Sequence, residues 1–206
     1  MTEVKFNEAD LFLIKNWTEA RILENSMENV REKLREILQK VAEGVLEYHE
    51  SLNVSAEFSK QSWATSGFLM FSCKAWSYEN DSLDSANGLW LEGMSLEYLT
   101  SEREGDPEAY VWVRSARRAG VNVVAAKRKL WRMIPRLFDS KTRRLFNKFE
   151  DDPDCLVHWS FSSTKKEILS WIVAGNTQKL TECIQEQVAI FAKLLPVLDE
   201  LLRRRR

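Results

Sequence analysis

Two apolar stripes at helical spacing, one near each end of the chain, constrain this sequence more than any other feature. In residues 18–48, Leu23, Met27, Val30, Leu34, Ile37 and Val41 alternate four and three apart, while Glu32, Lys33 and Glu36 take the opposite face. The second stripe opens at Thr177 and runs through Leu180, Ile184, Val188, Phe191, Leu195, Leu198 and Leu202. A helix as long as the first spans about 45 Å, so it must lie across a sheet or pair with another helix. Two arrangements satisfy the 20–48 stripe: packing within its own chain, or pairing with a protein partner or a second copy as a homodimer. Pro196 should kink the second helix late.

Between the stripes the periodicity changes. "GFLMFSCKAW" (67–76) reads as a strand, with Leu69, Phe71, Cys73 and Ala75 on one face. "LWLEGM" (89–94) reads as a second strand, after the polar loop 80–88, and Ser95 can cap a helical turn at "SLEYL". Residues 106–119 carry two signals. Asp106, Pro107 and Gly120 frame a helix, whereas Tyr110, Val111, Trp112 and Val113 favour a strand; the reading adopted is a strand at 109–115. A helix then begins near Val123 and should break or kink at Pro135, and Ser140 can cap a further helix over "KTRRLFNKF". "CLVHWSF" (155–161) reads as a strand. Thr164 and Glu167 have capping-box spacing, and Gly175 with Asn176 closes the helix they open. Only 7 Gly and 4 Pro occur, which favours long regular elements. The expected fold is α+β and a single domain over 1–206. A small antiparallel sheet of about three to five strands is packed by long N- and C-terminal amphipathic helices. The eight tryptophans, spread along the chain, read as core.

Charge is sorted along the chain. Residues 1–110 hold 21 acids and 10 bases, residues 111–149 hold 12 bases and the single acid Asp139, and residues 150–206 are nearly balanced. A net charge of −1 therefore conceals a strongly basic segment. That segment either pairs with the protein's own acidic helices or lies open to bind an anion, for which nucleic acid is the leading candidate. In the open reading the contacts come from Arg114, Arg117, Arg118, Lys127, Arg128, Lys129, Arg132, Arg136, Lys141, Arg143, Arg144 and Lys148. Trp131 is a candidate for base stacking. The terminal Arg203 to Arg206 add charge at a helix end.

"SARRAGVN" followed by "VVAAKRKLWRMI" resembles the turn of a helix-turn-helix. Ala116, Gly120 four later and Ala126 six further on fit the packing of that turn. The resemblance covers about 25 residues and implies that Asn122, Lys127, Arg128 and Arg132 face DNA. The strand-like run Tyr110 to Val113 and the interrupting Pro135 depart from the pattern.

Several chemistries lack their residues. No glycine run precedes a Lys-Ser/Thr pair, so a phosphate-cradling loop is absent, as is the dinucleotide glycine pattern. His49 and His158 are the only histidines, and neither sits in a nucleophile motif. Cys155 and His158 have C-x-x-H spacing without a second ligand pair, and residues three apart on a strand should face opposite sides. Glu79, Asp81 and Asp84 in the polar loop lack calcium-loop spacing. Cys73, Cys155 and Cys183 are few and scattered, as in a reducing compartment. "MTEVKFNEADLFLIKNW" has no secretory pattern, and no stretch approaches the roughly 20 apolar residues of a membrane span. The sequons at Asn16, Asn53 and Asn80 then carry no weight. The expectation is a cytoplasmic, non-catalytic nucleic-acid-binding protein with no metal site, no cofactor and no membrane association. The alternative is a protein-interaction subunit whose basic segment docks on acidic surfaces. A nuclease-type enzyme without a recognisable motif comes third.

Overall fold

The computed structural model describes residues 7–46, 67–73, 76, 87–102, 105–113, 122–147 and 154–202, together with the backbone of 52–57. Along the chain come α1 (Glu8–Lys15), α2 (Trp17–Leu46), β1 (Leu52–Glu57), β2 (Phe68–Cys73), β3 (Gly88–Glu92), α3 (Leu96–Thr100) and β4 (Glu108–Trp112). They are followed by α4 (Val123–Leu137), α5 (Ser140–Arg143), β5 (Phe146–Asn147), β6 (Cys155–Ser160), α6 (Lys165–Val173) and α7 (Thr177–Leu202). The strands form one antiparallel sheet in the order β1-β2-β3-β4-β6-β5. The α+β class with long flanking helices is as the patterning implies. The sheet's six strands are the four read from the sequence together with β1 and the two-residue β5.

Cross-strand register divides the sheet into two faces. Leu69, Leu91, Ala109, Trp159 and Phe146 stand in one row, with Phe71, Leu89, Val111 and Val157 in the next, and all are buried. This is the face that the helices cover. α2 packs on α7 and β1, and α4 packs on α7 and β6. Leu34, Leu38, Val41, Leu130, Ile134, Ile168 and the α7 stripe join these strand residues in one core. Every member of that stripe is buried except Leu195, which is partly covered. Two polar groups inside the core are matched: Trp159 Nε1 donates to Gln187 Oε1 at 2.8 Å, and Trp76 Nε1 donates to Asp199 Oδ1 at 2.8 Å. Burying an indole N–H without such a partner would cost about 1–3 kcal/mol.

Local signals account for most boundaries. The Thr164–Glu167 capping box opens α6, and Gly175 at φ +64° follows its end, a conformation that glycine adopts without a Cβ penalty. Ser95 Oγ accepts from Tyr98 N at the start of α3. At Gly88 a Cβ would come within 2.1 Å of the Phe71 carbonyl oxygen, so only glycine permits the close pairing of β2 and β3 there.

Four expectations change. Pro135 does not stop α4, which runs two residues further: its missing N–H forfeits one bond, and helical bonding resumes with Phe138 N donating to Ile134 O at 3.1 Å. Asp139, not Ser140, caps α5: its carboxylate accepts from Thr142 N at 2.7 Å. The helix expected over "KTRRLFNKF" lasts four residues, because Phe146 and Asn147 pair with Trp159 and His158 on β6. A β-bulge between Val111 and Trp112 shifts the β4–β6 register by one. It sets Cys155 opposite Trp112 and His158 opposite Tyr110, so both fall on one face despite being three apart.

Candidate nucleic-acid interface

α4 separates charge from core by helical spacing alone. Asn122 caps it, accepting from Ala125 N at 3.0 Å. Ala126, Leu130 and Ile134, each four apart, are buried against the sheet and α7. Arg128, Arg132 and Arg136, also four apart, are exposed along another face. Lys127 and Lys129 lie between the two faces, partly covered. Lys129 Nζ is 2.6 Å from Glu200 Oε1 on α7. Trp131 is partly buried and packs against the core.

Beyond α4, Phe138 turns inward against Phe146 and receives Lys193 over its ring at 5.6 Å. Asp139, the segment's only acid, is consumed as a cap. Hydrogen bonds from the Thr142 backbone and side chain hold its carboxyl below the usual range, which keeps it ionised. Lys141, Arg143 and Arg144 follow on α5 and its end, all exposed, and Arg143 Nε reaches back to the Asp139 carbonyl at 3.3 Å. Among the described residues, Arg128, Arg132, Arg136, Lys141, Arg143 and Arg144 make no ion pair. Among the described residues, no acid of the first half of the chain pairs with these six. Arg114, Arg117, Arg118 and Lys148 lie outside the described residues, as do the helix-turn-helix echo at Ala116 and Gly120, the loop acids Glu79, Asp81 and Asp84, and Arg203–Arg206. β4 occupies 108–112, so the strand-like run that departs from that echo is a strand.

The sheet's other face has a different character. Phe68 lies 4.6 Å from Trp90, and Trp90 5.8 Å from Trp112, as ring centroids. Beside them Tyr110 stacks on His158 at 5.4 Å, and its hydroxyl donates to Glu108, which faces Glu92 across β3 and β4. Burial and the Glu108 carboxylate push the Tyr110 phenol up, and burial pushes His158 down, so both are neutral near pH 7. The thiols of Cys73, Cys155 and Cys183 are buried, and burial raises Cys183 to about 12, which leaves it protonated and unreactive. Among the described residues no three His, Cys, Asp or Glu side chains converge on a possible metal position. No described helix is long and apolar enough to cross a membrane. No family model, curated protein or solved structure matches the chain.

The exposed apolar side chains are concentrated in a second region. Of eleven exposed large apolar side chains among the described residues, nine lie between Leu11 and Val30. Five of them fall in the short run "DLFLIKNW", which is too brief for helical periodicity to reveal a face.

Proposed function

We propose that this chain is a non-catalytic nucleic-acid-binding protein that contacts phosphates through α4 and α5. One observation carries the reading: Arg128, Arg132 and Arg136 form an exposed stripe without acidic partners among the described residues, on a helix anchored by Ala126, Leu130 and Ile134. At 1.5 Å rise per residue, cations four apart recur about every 6 Å, close to the spacing of successive phosphates along a strand. Lys141, Arg143 and Arg144 extend the set. Guanidinium groups suit phosphate because their fixed fork donates two parallel hydrogen bonds.

The test is salt-dependent binding of a short DNA duplex and of a single strand. Six phosphate contacts on duplex imply a thousandfold loss, on the order of that size, between about 50 and 200 mM salt. Reversing Arg128, Arg132 and Arg136 to Glu should abolish binding and flatten the slope, with the melting temperature unchanged because the three side chains are exposed. Absence of binding at low salt, or binding that ignores the triple reversal, would sink the proposal. The reading as an interaction subunit is favoured by a separate observation, the apolar surface of α1 and α2.

A further inference from the structure

α4 offers a polyanion positive charge and little else. Its fifteen residues contain no acid. Its outward positions, all exposed, are Val124, Ala125, Arg128, Arg132, Pro135 and Arg136. Residues four apart turn about 40° round a helix axis and rise about 6 Å, so the three arginines keep within a quarter turn along about 12 Å. Of these side chains only the guanidiniums form hydrogen bonds. Adenine is gripped by Asn or Gln and cytosine by Asp or Glu, and none of these residue types stands on this face. Asn122, the nearest amide, already accepts from Ala125 N with its side-chain oxygen.

The aromatic rings of the segment face elsewhere. Phe138 and Phe146 are buried, 5.1 Å apart, and Phe146 lies 5.5 Å from Trp159. Trp131, the one ring on α4, packs against the core. Proteins that hold single strands combine a charged groove with rings on which bases stack, and each stacked base strengthens binding by about fivefold to a hundredfold. α4 presents a ridge instead: its cations stand on the outer side of a helix whose opposite side is in the core. A duplex keeps its bases stacked within itself and asks for no such rings.

Where charge alone acts, the polymer of higher charge density is favoured. The slope of log K against log salt is about −0.9 per contact on duplex DNA and about −0.7 on a single strand. One contact each from Arg128, Arg132, Arg136, Lys141, Arg143 and Arg144 gives slopes of about −5.4 and −4.2. Affinities that are equal at about 1 M salt then differ about sixteenfold at about 0.1 M, in favour of the duplex. Resting on the nucleic-acid reading above, we propose that the ligand of α4 and α5 is the phosphate backbone of a nucleic-acid duplex, held without regard to base sequence.

Fluorescence anisotropy of the full chain at about 0.1 M salt, with labelled polymers of about 20 nucleotides or base pairs, is the direct measurement. A mixed-sequence DNA duplex should bind about tenfold or more tightly than its own single strand, and a second duplex of unrelated sequence within about twofold of the first. An RNA duplex separates the two sources of such a backbone, and binding of either duplex satisfies the proposal. Arg128→Glu, Arg132→Glu and Arg136→Glu together should erase the preference while circular dichroism and melting stay parental, because the three side chains are exposed. A single strand bound as tightly as the duplex overturns the proposal, as does a choice of about tenfold between the two DNA sequences. So does a duplex preference that survives the triple reversal. No binding to any polymer at about 0.05 M salt is a different failure, which removes the nucleic-acid reading itself and this preference with it.

Discussion

The two halves of α2 carry the same spacing and meet opposite fates. Leu23, Met27 and Val30 are 64, 54 and 48% exposed, while Leu34 and Val41 on the same stripe are 3 and 7% exposed. Nothing in the repeat itself changes at Arg31. What changes is the neighbour: the second half lies on α7 and β1, and among the described residues the first half lies beside α1 and α3. An apolar stripe states that a partner is required. Whether that partner belongs to the same chain is decided by how far the sheet and the opposing helix extend.

That contrast can be broken by substitution. Leu34→Asp places a charge in the core without a partner and should cost several kcal/mol, enough to abolish cooperative unfolding. Leu23→Asp, eleven residues earlier on the same stripe, should melt like the parent. Equal damage from both would show that the first half of α2 is covered within its own chain. Chemical denaturation followed by circular dichroism decides.

A smaller effect belongs to the sheet and depends on pH. Burial lowers the His158 pKa below its ordinary 6.5, although Glu108 opposes the shift. The unfolded chain then binds the proton more readily than the folded one, so stability falls as pH drops through about 6.5. His158→Phe, which can keep the stack on Tyr110, should flatten that slope. Residues 7–46 contain no histidine, so that slope does not come from α1 or α2. The smallest effect belongs to the junction. Arg31 is partly exposed beside Glu28 and Glu97, and Arg31→Ala should cost about 0.2–1 kcal/mol, with high salt reducing the difference. A larger loss would mean that the junction, and not the sheet, sets where the buried half begins.

Elements with a dense local signal were legible. The stripe from Leu180 to Leu202, the Thr164 capping box and the strand at Tyr110–Trp112 all follow from residues close in sequence. β5 was not legible, because "LFNKF" continues a helical pattern and only its pairing with β6 makes Phe146 and Asn147 a strand. Nor was the bulge at Val111, which moves Cys155 onto the face of His158. In the candidate interface, the four-residue spacing of Arg128, Arg132 and Arg136 was visible and implied a shared face. That Lys129 is tied to Glu200 was not, since the two are 71 residues apart. Charge counting located the segment; only packing distinguishes a tethered cation from an open one.

The register of β4 and β6 has a consequence for how the basic segment is attached. Trp112 pairs with Cys155, and Val113 N donates to the Asp154 carbonyl at 2.8 Å. The two ends of the segment between them thus lie one strand spacing apart, about 4.8 Å. Everything between, including α4, α5 and every cation of the candidate interface, belongs to that segment. The buried side of this segment is not free to vary, since Ala126, Leu130, Ile134 and Phe146 belong to the core and β5 pairs with β6, but its exposed side carries no such demand. Its charge can therefore be retuned almost independently of the scaffold that carries it.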